Sequence, residues 1–66
     1  MKVCELFNVF DKEKYTVNLY GRNECLLYKG FVKPLCYDLY GEREIKRLEF
    51  DECEVSFDIY MFSIDS

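Results

Sequence analysis

The sequence predicts a small α+β domain, mainly β: a curled antiparallel sheet of about five strands with one short helix, or a partial barrel. Three observations carry this expectation. Alternating apolar residues recur in short runs, turn-forming residues separate those runs, and a single proline stands where the alternation lapses into helical spacing. At 66 residues the chain has room for one core only.

Val3 to Phe10 is an apolar run broken by Glu5 and Asn8 and predicts a first strand, closed by the polar tetrad Asp11-Lys12-Glu13-Lys14. In Tyr15 to Tyr20 the residues Tyr15, Val17 and Leu19 share one face, which predicts a second strand. Gly21-Arg22-Asn23 tolerates a left-handed turn, so a hairpin should follow into a third strand from Cys25 to Tyr28, with Gly30 marking a bulge or the strand's end. Lys33-Pro34 opens one or two helical turns through Leu35, Tyr37, Leu39 and Tyr40, and Gly41 stops them. Ile45 to Phe50 mixes spacings of three and two; a strand is the reading adopted. In the last run Cys53, Val55, Phe57, Ile59 and Met61 point one way, with Glu54, Ser56 and Asp58 opposite. Hairpin connections make an antiparallel meander the expected topology.

Composition bounds the function. The chain contains no His, which removes the commonest general base, the usual nucleophile pairs and most zinc sites. Glycine-rich phosphate loops and calcium loops are missing from the sequence, and carboxylates crowded in an acidic tract have nothing to separate their pKa values. An enzyme is therefore not expected, and no cofactor. Cys4, Cys25, Cys36 and Cys53 lack the close pairing of zinc ribbons and redox motifs, so four reduced cysteines packed as small apolar side chains are expected, with Cys25 and Cys53 on apolar strand faces. The first ten residues do not form a signal peptide, and charges interrupt every candidate membrane span; a cytoplasmic protein without membrane contact is expected.

The net charge of −4 is unevenly distributed. Met1 to Arg47 holds nine basic and seven acidic residues, a net of +2, whereas Leu48 to Ser66 holds six carboxylates and no cation, a net of −6. Direct nucleic-acid binding is not expected from so few scattered cations. A row of carboxylates on a strand could instead imitate phosphates and occupy a basic groove on another protein.

The outer face of the last strand turns from charged to aromatic at Tyr60 and Phe62, so something must cover that end. Tyr20, Tyr28, Tyr60 and Phe62, with the acids Glu49, Asp51, Glu52, Glu54 and Asp58, are the partner-contact candidates. They point to a protein partner, or to a homo-oligomer built on an apolar edge strand.

The segments Leu27-Tyr28-Lys29-Gly30-Phe31-Val32, Pro34 through Tyr40, Glu44-Ile45 and Phe57-Asp58-Ile59-Tyr60 follow one another in an order that resembles small uncharacterised acidic accessory proteins of phages and conjugative elements of Gram-positive bacteria. The resemblance covers about the last forty residues and rests on apolar positions. Tyr37 to Gly41 departs from it, being shorter than the helix of that group. What the resemblance implies is a mobile-element accessory or inhibitor protein.

Overall fold

The structure is a computed structural model, and it describes residues 1–62. Its elements are α1 (Val3–Phe7), β1 (Thr16–Tyr20), a 3-10 turn (Arg22–Glu24), β2 (Leu26–Phe31), α2 (Pro34–Tyr40), β3 (Ile45–Asp51) and β4 (Ser56–Met61). The α+β class holds. The sheet has four strands rather than about five, in the order β2-β1-β4-β3, and it is open, with β2 and β3 as its outer strands, instead of a barrel.

The expected first strand is a helix. Val3, Leu6 and Phe7 stand three and four apart and are all buried, while Glu5 and Asn8 face outward. Glu5 closes the helix start by accepting the Lys2 backbone N–H at 2.8 Å. Val3 and Phe7 have strand propensity, yet this sheet needs an apolar cover on one face, and tertiary burial outweighs propensity. Upstream of α1, Met1 and Lys2 run beside the start of β3: Ile45 N–H donates to the Met1 carbonyl and Val3 N–H to the Arg43 carbonyl, both at 2.9 Å.

The all-antiparallel meander is also corrected. β1–β2 and β3–β4 are antiparallel hairpins, but the two central strands β1 and β4 pair in parallel, Val17 with Phe57 and Leu19 with Ile59. Each element reverses the chain direction, and α2 adds one reversal between the hairpins, so β4 runs the same way as β1. In the β1–β2 hairpin Asn23 takes the left-handed conformation, φ 58°, as its residue type allows. The bulge lies one step from the turn, between Leu19 and Tyr20, rather than at Gly30, although Gly30 does have a positive φ of 138°.

Both helices lie on one side of the sheet. Val17, Leu19, Ile59 and Met61 point into that side and meet Val3, Leu6, Phe7 and Cys36. At the far end Phe10, Tyr15, Phe50 and Phe57 close the core, with Tyr15 edge-on to Phe50 and Phe57 and the tilted Phe10–Phe57 and Phe50–Phe57 pairs at centroid distances of 4.8 and 5.0 Å. α1 and α2 approach closely at Gly41, whose carbonyl accepts the Cys4 N–H at 3.0 Å. A Cβ on Gly41 would sit 2.5 Å from the Tyr37 carbonyl oxygen and 3.3 Å from Cys4 Cβ, so only glycine fits there.

The final strand is shorter than its alternation suggested. Cys53 and Val55 belong to the β3–β4 turn and are exposed, and Val55 takes a left-handed φ of 54°. Asp51 Oδ1 accepts the N–H groups of Cys53 and Glu54 at 2.9 and 3.2 Å, and this side-chain turn ends the inward alternation before Ser56. Cys25 likewise lies exposed in the first hairpin, so neither it nor Cys53 packs on an apolar strand face; Cys36 alone is buried, with Cys4 half-buried on α1.

Candidate protein-binding face

Side chains that alternate away from the helices form the sheet's open face. The ladder registers align them in rows across the four strands. Lys29, Asn18, Asp58 and Glu49 make one row; Phe31, Thr16, Ser56 and Asp51 make the next; Tyr20, Tyr60 and Arg47 make a third, beside Leu26.

The third row is the most ordered. Tyr20 and Tyr60 face each other across the parallel pair with ring centroids 4.7 Å apart and planes 12° apart, and the Arg47 guanidinium lies 4.0 Å from the Tyr60 centroid. Arg47 is held there by Glu24 at 2.9 Å and Glu49 at 3.0 Å. These pairs are half-exposed, so they fix geometry more than they add stability. Loss of hydration pushes the Tyr20 hydroxyl's pKa above the ordinary tyrosine value, and the negative charge of Asp58 adds to the shift.

Asn18 is 6% exposed and Ser56 1%, unusual for polar residues on an open face. The Asn18 amide donates to Asp58 at 2.7 Å and lies 3.4 Å from the Ser56 hydroxyl, so the three satisfy one another.

The candidates from the sequence are only partly brought together. Tyr20, Tyr60, Asp58, Glu49 and Asp51 share the open face. Glu52 and Glu54 stand exposed in the β3–β4 turn at its border. Phe62 follows β4, exposed, with its N–H bonded to the Glu44 carbonyl at 3.0 Å. Tyr28 is separated from them: it pairs with Leu19, points to the helix side, packs on the core and donates its hydroxyl to the Phe31 carbonyl. Nor are the acids a free row. Asp58 is bonded by Asn18, Glu49 by Arg47 and Asp51 by its turn, which leaves Glu52 and Glu54 unpaired among the described residues. Asp65, the sixth acid of the tract, lies outside the described residues.

Asn18 and Arg47 were missed in the sequence. The outward position of Asn18 was readable from the alternation of β1, but its closure on Asp58 and the seating of Arg47 on Tyr60 depend on register between strands far apart in the chain. Among the described residues no three His, Cys, Asp or Glu side chains gather as metal ligands would, and no helix is long and apolar enough to cross a membrane. Comparison with known proteins gives no match to any family model, any curated protein or any solved structure.

Proposed function

We propose that this chain is a non-enzymatic protein-binding module of the cytoplasm that docks the open face of its sheet on a larger protein partner. The observation that carries the reading is the Tyr20–Tyr60 stack on the two central strands, on the side away from both helices, seated under Arg47 and bordered by Leu26, which is 49% exposed. Stacked tyrosines give a partner broad contact area with little rotamer entropy left to lose, and arginine beside them adds directional donors. Glu52 and Glu54 at the border supply uncommitted negative charge, so a partner surface with an apolar centre and a basic rim is complementary. In keeping with the sequence resemblance, the proposed role is that of a mobile-element accessory or inhibitor protein, whose carboxylates compete for a basic groove.

The test is capture of partners from lysate of the native host on immobilised protein at low and high salt, beside a Tyr20→Ser/Tyr60→Ser variant of unchanged circular dichroism. A partner bound by the wild type and lost by the variant supports the open face. A partner retained by the folded variant overturns it. Loss at high salt assigns the interaction to the acidic border, and resistance assigns it to the aromatic row.

A further inference from the structure

The two outer strands of the sheet are unlike, and the start of β3 is already bridged by Met1 and Lys2. β3 carries Lys46, Arg47, Glu49 and Asp51 along its length, the charge pattern by which natural edges resist pairing. β2, Leu26-Leu27-Tyr28-Lys29-Gly30-Phe31, has one charge, and Leu26, Leu27 and Phe31 are between 41% and 50% exposed.

α2 adds a second layer along this same edge. Cys36 is turned onto the sheet and buried, and Tyr37, about 100° further round the helix, packs against Phe7 of α1 with centroids 5.2 Å apart. Leu35, one step back from Cys36, and Leu39, about 60° to the same side, therefore project from the flank opposite α1, above β2. They are 60% and 54% exposed, the apolar shoulder of an unpaired strand.

We infer that the occupant of this edge is a second copy of the chain, paired antiparallel to β2 about a two-fold axis normal to the sheet. A lone peptide strand would satisfy the backbone of β2 but leave the leucine shoulder bare; an identical edge supplies strand against strand and Leu35/Leu39 against Leu39/Leu35 at the same height. Such an axis preserves side-chain faces, so it must pass through a residue. On Lys29 it would set two ammonium groups opposite each other. On Gly30, with no side chain at the axis, it sets Lys29 opposite Phe31, where the cation can lie on the ring. The bulge beside Leu19 and Tyr20 confines the ladder to Tyr28–Phe31, the part this register uses, and pairing there displaces the Tyr28 hydroxyl from the Phe31 carbonyl. The result is a continuous eight-stranded sheet with both open faces on one side. A single short strand and two leucines give a contact near the lower end of stable interfaces, on the order of 1,200 Å² in total, so the dimer is concentration dependent.

The inference is tested by sedimentation velocity in reductant from low micromolar to near-millimolar protein, with hydrogen exchange followed residue by residue at both ends of that range. Expected are a monomer–dimer equilibrium, slowed exchange of β2 amides at high concentration alone, and association weakened about tenfold or more in Leu35→Lys/Leu39→Lys, whose positions are too exposed to disturb folding. A monomer at every concentration overturns the inference. So does a dimer in which β2 amides exchange at the monomer's rate, a readout that does not depend on any variant folding.

Discussion

Tyr20 and Tyr60 are direct partners in the parallel ladder at the centre of the sheet, and their rings stack within 12° of coplanarity at 4.7 Å. Neither helix reaches that side. Aromatic pairs of this kind add roughly 0.5–1.5 kcal/mol beyond the area they bury, a small part of what holds this fold. Replacing either tyrosine with Ser should lower the thermal midpoint by only a few degrees while the far-ultraviolet spectrum is retained. A variant that loses its cooperative transition would place the stack in the folding core and remove it as a contact surface.

The same stack has an alkaline signature. Burial, reinforced by Asp58, raises the pKa of Tyr20 above the ordinary tyrosine value of about 10. The folded state therefore holds the phenol proton more tightly than the unfolded chain. Its contribution is fully present below pH 10 and is lost as pH rises through the higher folded-state value. Titration followed by tyrosinate absorbance should show a late-ionising component that Tyr20→Phe reduces. The remaining late component should belong to Tyr28, which burial shifts the same way. An unchanged titration in Tyr20→Phe would contradict the described packing of that ring.

Asn18 joins the sheet's open face to its stability. Asn18→Leu keeps the branched outline of the side chain but removes the donor to Asp58 and the neighbour of Ser56, leaving two acceptors poorly satisfied. Chemical denaturation should show a loss of about 1–3 kcal/mol. Equal stability would mean that water replaces the amide and that the three residues are independent.

Four elements were legible in the sequence for a local reason. β1, β2, α2 and β4 are announced by alternation, by Asn23 in a left-handed turn and by Pro34 and Gly41 at the helix ends, all of which act within a few residues, whereas the strand at β3 was adopted from mixed spacings. The failures had non-local causes. Val3, Leu6 and Phe7 are as good a strand as a helix until a sheet needs covering, and the parallel join of β1 to β4 unites residues about 40 positions apart, as in the Asn18–Asp58 hydrogen bond. The same limit applies to the candidate face: the outward positions of Tyr20 and Tyr60 could be read from alternation, whereas the capture of Asp58, Glu49 and Asp51 by Asn18, Arg47 and the turn backbone could not.

The close approach of the two helices makes Gly41 a sensitive position. A methyl group there meets the Tyr37 carbonyl and Cys4, neither of which has room to withdraw, since Cys4 N–H is already bonded to Gly41. Gly41→Ala should cost about 1–3 kcal/mol, the usual range for overpacking, large against the few kcal/mol available to so small a domain. Gly30→Ala would test a different mechanism, because the backbone φ of 138° is at fault there and space is not. If Cys4→Gly relieves Gly41→Ala but leaves Gly30→Ala unchanged, the steric account is upheld; no relief would locate the strain in the Tyr37 carbonyl alone.

The cysteines report on packing without any variant. Cys25 and Cys53 are exposed in the two hairpin turns, Cys4 is half-buried, and Cys36, on the sheet-facing side of α2, is 2% exposed. A thiol-specific disulfide reagent should therefore modify two groups quickly in the native protein and a third more slowly. Cys36 should react only at the rate of opening, because a thiol without solvent access is out of the reagent's reach. Adding denaturant should merge the phases into one. If Cys36 reacts in the fast phase of the native protein, α2 is not seated on the sheet as described, and the leucine shoulder it places along the β2 edge loses its basis with it.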